Sequence, residues 1–180
     1  GDQRPSLQTK RGQPIAEALL GPRGGGADGP PELLQRTPLF RRQGEIDRAI
    51  RMHQNLLDRP DLPADKRTMA NYELAQDFHR AGLLDRAEEL FTKLDGTPFE
   101  HSSIAHLISI YETEKDWNKA IAATQRMEAL AKQPYFKEIA QYRCELAQAA
   151  LLESDHATAQ RELDAAFAAY RGCARATMIA

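Results

Sequence analysis

The sequence predicts an all-α protein in which antiparallel helix hairpins stack into an α-solenoid, preceded by a disordered N-terminal segment. Apolar residues recur with a period near 3.6 from Leu39 onward, which is typical of amphipathic helices. Short polar or glycine-containing stretches interrupt this pattern, and no stretch alternates as a half-buried strand does. An alanine also returns at spacings of 38, 33 and 39 residues, which indicates a structural repeat.

Residues 1–38 differ in composition from the rest of the chain. They contain 7 of the 11 glycines and 6 of the 10 prolines. Glycine increases the entropy that folding must overcome, and proline lacks a backbone donor, so the stretch GPRGGGADGPP at 21–31 favours neither helix nor strand. We therefore predict that residues 1–38 are disordered and lie outside the fold, and that residues 39–180 form the folded part.

The predicted helices of the folded part follow one another with short connections. The first has an apolar face that runs from Ile46 to Leu57. Six more are predicted at 66–80, 85–94, 101–113, 117–131, 135–152 and 155–170. Asp61 or Asp65 is the expected N-cap of the second helix, and Asp85 that of the third. Helices joined by such short connections pack antiparallel, which predicts hairpins.

The repeat is aligned on one alanine in the second helix of each hairpin: Ala49, Ala87, Ala120 and Ala159. Nine residues earlier stand Phe40, Phe78, Tyr111 and Ala150, and four residues later stand His53, Phe91, Thr124 and Leu163. Small residues let paired helices approach closely, and stacked neighbours complete the core that one hairpin cannot form alone. The Asp-Arg-Ala sequence at 47–49 and 85–87 is therefore predicted to be architectural rather than catalytic.

The segment YELAQDFHRAGLLDRAEELF at 72–91 resembles the tetratricopeptide repeat, whose period is 34 residues. Its signature places are occupied by Leu74, Ala75, Phe78, Gly82, Ala87 and Phe91. The third unit has Lys115 in place of the turn glycine, and the fourth unit is weaker. The resemblance implies about three and a half repeats over residues 39–180, truncated at the C-terminal end.

Four stretches carry a closer resemblance. They are found at 39–57, 81–91, 110–121 and 138–147. In order and spacing they are similar to the lipopolysaccharide assembly protein B family, which consists of bacterial tetratricopeptide proteins of the inner membrane. The likeness covers about residues 39–180.

This family resemblance implies an adaptor rather than an enzyme. Family members carry an N-terminal membrane anchor, a cytoplasmic run of repeats and a C-terminal rubredoxin-like metal ribbon. They promote degradation of the lipid A pathway deacetylase by a membrane-bound AAA+ protease, and so regulate lipopolysaccharide biosynthesis. The resemblance implies a cytoplasmic chain whose parent is anchored at the inner membrane. It also implies protein partners, such as that protease and lipopolysaccharide biosynthesis or transport proteins. No metal-ribbon motif occurs here, so no cofactor is expected.

Composition and motifs argue against other functions. The net charge of −2 offers no electrostatic footprint for nucleic acid, and no stretch reaches the roughly 18–20 apolar residues of a membrane span. Cys144 and Cys173 share no CxxC spacing, which predicts inert thiols in a reducing compartment rather than a disulfide framework or zinc site. No phosphate loop or nucleophile motif is present, so no catalytic and no metal-binding residue is predicted.

The predicted functional feature is the concave surface, which the repeat resemblance assigns mainly to the first helix of each hairpin. Its predicted partner-binding residues are Tyr72, Gln76, His79, Arg80, Asp85, Ser109, Glu112, Gln141 and Gln148. Mixed polar and aromatic side chains suit a peptide or a partner helix. The alternatives are a generic tetratricopeptide scaffold, a gene fragment without function, and an enzyme in which the repeats are accessory.

Overall fold

The computed structural model describes residues 45–180, and all regular structure in that range is α-helical. Its helices are α1 (Ile46–Leu57), α2 (Ala64–Arg80), α3 (Leu84–Thr92), α4 (Glu100–Glu114), α5 (Trp117–Ala131), α6 (Phe136–Leu152), α7 (His156–Ala169) and α8 (Ala174–Ile179). The prediction of an all-α fold is confirmed for this part of the chain. The predicted disordered segment 1–38 and the start of the first unit, including Phe40, lie outside the described residues.

The helices stack in chain order, which is the arrangement of a helical-repeat solenoid. Each helix from α1 to α6 packs against the next one, and α8 packs against both α6 and α7. The hairpins are α2–α3, α4–α5 and α6–α7, while α1 is the second helix of the first unit. First helices of neighbouring units also touch, α2 with α4 and α6 with α8. Within residues 45–180 successive second helices contact each other less extensively.

The anchoring alanines lie where the helices pack. All four are buried, and so are the residues four places later in each unit: His53, Phe91, Thr124 and Leu163. Phe78, Tyr111 and Ala150, nine places earlier, are buried as well. The recurring alanines are therefore packing positions, and the repeated Asp-Arg-Ala sequence belongs to the architecture.

Two hydrophobic clusters occupy most of the interior. The larger one runs from Ile50 in α1 to Tyr142 in α6, with Phe91 and Met127 fully buried along its course. A smaller cluster joins α6, α7 and α8 around Leu163. Burying one Leu, Phe or Met side chain stabilises a fold by roughly 1.5–3 kcal/mol, so the stacking of hairpins is held mainly by these contacts.

Aspartate side chains cap the second helices of the third and fourth units. Asp116 accepts a hydrogen bond from the backbone N–H of Lys119 at 3.1 Å, and Asp155 accepts one from Thr158 at 3.0 Å. Each bond satisfies a backbone donor that would otherwise have no partner within its helix. These caps explain why α5 and α7 begin directly after short polar turns.

The N-caps predicted for α2 and α3 are wrong. α2 begins one residue after Pro63 and α3 one residue after Leu83, and neither has a side-chain cap. Asp65 and Asp85 lie inside the first turns, where a carboxylate favours the helix dipole without being the cap. Pro63, whose backbone φ angle is fixed by its ring, is the N-cap of α2. The helix therefore begins at Ala64, two residues before the predicted start at residue 66.

Each hairpin turn contains one left-handed residue five positions before its anchoring alanine. The φ angles are 75° at Gly82, 60° at Lys115 and 61° at Ser154. This conformation costs a residue with a side chain about 1–2 kcal/mol. The missing turn glycines therefore leave the hairpin geometry intact but place strain in the third and fourth units.

Replacing Lys115 with glycine should raise the free energy of unfolding by about 1 kcal/mol, because glycine adopts positive φ without strain. Urea unfolding followed by circular dichroism measures the change. Gly82→Ala is the matched control and should have the opposite sign. A Cβ added there meets no atom within 4 Å, so its cost is that of the backbone alone. Unchanged stability in Lys115→Gly would contradict the strain argument.

Candidate functional site

The inner surface, defined here as the solvent-facing side of α2, α4 and α6, is the candidate functional site. Eight predicted partner-binding residues lie on these helices: Tyr72, Gln76, His79, Arg80, Ser109, Glu112, Gln141 and Gln148. Asp85 lies on α3 instead, as an exposed residue in the first turn of a second helix. Most predicted residues therefore share the first helices of successive hairpins, and Asp85 does not.

Tyr72 and His79 of α2 both approach His106 of α4. The Nδ1 atoms of His79 and His106 are 3.3 Å apart, and the Tyr72 and His106 ring centroids are 6.2 Å apart. A hydrogen bond between two imidazoles needs one ring to donate and the other to accept. Burial lowers the pKa of His79, which favours its neutral form. This contact joins the α2–α3 hairpin to the α4–α5 hairpin.

An aromatic stack lies behind this histidine pair. The Tyr72 ring stacks on Phe99 at 4.6 Å between centroids, and the Phe91 ring stacks on His106 at 4.7 Å. Phe91 is fully buried, whereas Tyr72 is half-buried. Tyr72 therefore packs between hairpins and exposes only part of its surface to solvent.

Glu112 of α4 and Tyr142 of α6 join the α4–α5 hairpin to the α6–α7 hairpin. The Tyr142 hydroxyl donates a hydrogen bond of 2.7 Å to Glu112 Oε1, and its ring stacks on Trp117. Burial raises the pKa of Glu112, and the bond from Tyr142 opposes that rise. Burial and the Glu112 carboxylate both raise the pKa of Tyr142. Burial therefore favours the protonated form of Glu112, and the hydrogen bond from Tyr142 favours its carboxylate form.

We expect the stability contributed at Glu112 to fall as pH rises. Its pKa in the folded chain lies above the ordinary value of 4.5, so the folded state retains this proton at pH values where the unfolded state has lost it. The contribution is complete below that value and is lost as pH rises through the folded pKa. Urea unfolding between pH 4 and 8 should show Glu112→Gln gaining stability relative to wild type as pH increases.

Tyr142→Phe is the companion variant for this pH series. It removes the hydrogen bond that holds the Glu112 pKa down, so the window of pH-dependent stability should extend further upward. Parallel stability curves for wild type and Glu112→Gln across the range would show that burial does not perturb this carboxyl group.

A polar network joins α6 to α8 on the same side. Arg175 donates to Glu145 Oε1 at 2.5 Å and to Gln148 Oε1 at 2.9 Å. The Gln141 amide lies 3.5 Å from the same Glu145 oxygen. Gln141 and Gln148 are therefore linked through Glu145 and Arg175, and part of their hydrogen-bonding capacity is already used.

The remaining predicted residues on these helices are Gln76, Arg80 and Ser109. Arg80 is exposed near the C-terminal end of α2, while Gln76 and Ser109 are half-buried on α2 and α4. The polar contacts described above thus form three separate groups rather than one pocket. One joins α2 to α4, one joins α4 to α6, and one joins α6 to α8.

Sequence reasoning missed the partners that complete these groups, namely His106, Tyr142, Glu145 and Arg175. The paired residues have similar separations along the chain. His79 and His106 are 27 residues apart, and Glu112–Tyr142 and Glu145–Arg175 are each 30 residues apart. Residues slightly less than one repeat apart face each other across successive first helices. That spacing was available in the sequence and predicts such pairs.

Two further properties are visible in the described range. Within residues 45–180 no three His, Cys, Asp or Glu side chains are grouped so that they could hold a metal ion. In the same range no helix combines the length and apolar character that crossing a bilayer requires.

Known relatives place this segment in a family. No family model matches the chain. Lipopolysaccharide assembly protein B of Escherichia coli (strain K12) is 38% identical over 142 residues, which are 78% of this chain and 36% of that protein. The protein of the same name in Haemophilus influenzae is 35% identical over 143 residues, with the same coverage. The chain spans 36% of the length of these relatives. Over this partial segment, the chain belongs to the lipopolysaccharide assembly protein B family.

Proposed function

We propose that this chain is a non-catalytic binding segment of a regulator of lipopolysaccharide biosynthesis, and that its inner surface holds a protein partner. The observation that carries the proposal is the row of polar and aromatic side chains on α2, α4 and α6, in a family whose members are named assembly proteins. A solenoid with such a surface suits an extended peptide or a partner helix, because successive first helices offer contacts at regular intervals.

The finer form of this proposal is an adaptor for regulated proteolysis. The family resemblance implies that whole family proteins promote degradation of the lipid A pathway deacetylase by a membrane AAA+ protease. The chain spans 36% of the length of these relatives. We infer that its share of that activity is partner binding at the cytoplasmic face of the inner membrane. Tetratricopeptide repeats elsewhere in such proteins would extend the same surface.

Arg80 is the group on this surface best suited to test binding. Its guanidinium is exposed near the end of α2, beside the His79–His106 contact. Arginine binds carboxylates with two parallel hydrogen bonds, so an acidic side chain of a partner is the fitting counterpart. Arg80→Glu reverses this charge without touching the hydrophobic core.

The experiment is affinity capture from detergent-solubilised bacterial membranes, with quantification of the membrane AAA+ protease by mass spectrometry. Wild type should recover the protease, and Arg80→Glu should recover about tenfold less, as a loss of about 1.4 kcal/mol of binding free energy produces. The matched control is Arg161→Glu, an exposed arginine on the second helix α7, which should behave as wild type.

Two outcomes would overturn parts of the proposal. Equal recovery by wild type and Arg80→Glu would remove the end of α2 from the binding surface. Absence of the protease from the wild-type capture, with a folded chain by circular dichroism, would reject the adaptor function. Specific capture of proteins unrelated to lipopolysaccharide synthesis would favour the generic scaffold.

A further inference from the structure

Cys144 and Cys173 lie side by side in the small cluster between α6, α7 and α8. Their Sγ atoms are 3.7 Å apart, and both thiols are free and buried. The cysteines are 29 residues apart, which is again slightly less than one repeat and places them at the contact between successive first helices. We propose that Cys144 and Cys173 are a modification site, at which a peroxide converts the two thiols into a reversible intramolecular disulfide.

The two sulfur atoms are in van der Waals contact. A disulfide has an S–S distance of about 2.05 Å, so the two sulfur atoms need to approach by about 1.7 Å. Cys144 is fixed within the 17-residue helix α6, whereas Cys173 precedes the six-residue helix α8. We expect rotation of the two side chains and a small shift of the shorter element to supply this movement.

The first chemical step takes place at Cys173, which is 8% exposed where Cys144 is fully buried. The Cys173 thiolate attacks one oxygen of hydrogen peroxide, so an S–O bond forms and the O–O bond breaks. The departing hydroxide takes up the thiol proton and leaves as water. Cys173 is then a sulfenic acid, the first and reversible oxidation state of cysteine.

The second step closes the bond. The Cys144 sulfur attacks Cys173 Sγ, so the S–S bond forms and the S–O bond breaks, and the oxygen leaves as a second water with the Cys144 proton. Two thiols are oxidised by two electrons in total, and one peroxide is reduced to two waters. Reduction by a dithiol reverses the modification by thiol–disulfide exchange.

Burial affects the two steps differently. It raises the pKa of Cys144 to about 11, with the neighbouring Cys173 adding to the rise, so little thiolate exists there at neutral pH. Contact between the two sulfur atoms compensates, because an intramolecular attack at this distance has a very high effective concentration. The first oxidation therefore limits the rate, and the same burial keeps the thiols of other molecules away from Cys144.

The disulfide would tie the α6–α7 hairpin to α8 across the network in which Arg175 contacts Glu145 and Gln148. It would close a loop in the unfolded chain and so raise the melting temperature of the oxidised form. This inference rests on the thiol geometry alone and does not depend on the proposed partner.

The test is oxidation of the purified 180-residue chain with hydrogen peroxide, followed by denaturation, alkylation and intact-mass measurement. We expect a loss of about 2 Da, no alkylated cysteine, and a peptide pair joined through Cys144 and Cys173 in a non-reducing digest. Dithiothreitol should restore both alkylation sites, and the oxidised chain should melt at a higher temperature than the reduced one.

Cys173→Ala is the control, since it removes the more exposed thiol and leaves Cys144 unchanged. This variant should show no loss of about 2 Da and no cross-linked peptide. The proposal is overturned if wild type gains about 32 Da as a sulfinic acid on one cysteine, forms a disulfide-linked dimer, or keeps both cysteines alkylatable after peroxide treatment.

Discussion

Replacing Asp77 with alanine should lower the free energy of unfolding by about 3 kcal/mol. Asp77 and His53 are both buried, and Oδ2 of Asp77 lies 2.7 Å from Nδ1 of His53. Truncating one member of a buried polar pair removes a hydrogen bond from the other member. Water does not reach the buried site to replace that bond. The pair also joins α1 to α2, so its loss weakens the contact between α1 and the α2–α3 hairpin. Urea unfolding measures the change.

Asp164→Ala is the matched control for this prediction. Asp164 is exposed on α7, so its removal should change the free energy of unfolding by no more than about 0.5 kcal/mol. A double-mutant cycle with His53→Ala isolates the pair and should give a coupling of about 0.5–3 kcal/mol. A loss below about 1 kcal/mol in Asp77→Ala would mean that this pair contributes little to holding the first unit.

Most of the fold could be predicted because local and non-local signals agree along this chain. The apolar period predicts α4 at 101–113 and α5 at 117–131, and the structure has Glu100–Glu114 and Trp117–Ala131. The alanine spacing independently predicts which faces meet. The errors fall at the starts of α2 and α3, because an aspartate near a helix start can be a cap or a first-turn residue, and spacing does not separate the two.

Less of the candidate site could be predicted. The repeat alignment assigns Gln148 and Glu112 to first helices, but it does not say which residue of the next helix meets each of them. Those pairs depend on the offset between successive first helices, which is a property of packing rather than of one helix. The proximity of Cys144 to Cys173 has the same origin, and the expectation of inert thiols did not include their contact.

The small side chain at Ala87 is a second determinant of stability. Ala87→Leu should lower the free energy of unfolding by about 1–3 kcal/mol. Ala87 is fully buried in α3 within the core that contains Phe78 and Phe91, so added methylene groups must displace well-packed neighbours. Ala122→Leu on α5 is the matched control. Ala122 is exposed, so the same substitution should change stability by no more than about 0.5 kcal/mol.

The comparison of these two leucine variants separates packing from helix propensity. Leucine and alanine are both good helix formers, so a change in propensity would affect α3 and α5 alike. A loss confined to Ala87→Leu therefore reports the close approach of α2 and α3 that the recurring alanine permits. Thermal melting by circular dichroism decides the matter, and an unchanged melting temperature in Ala87→Leu would remove this alanine from the packing that defines the repeat.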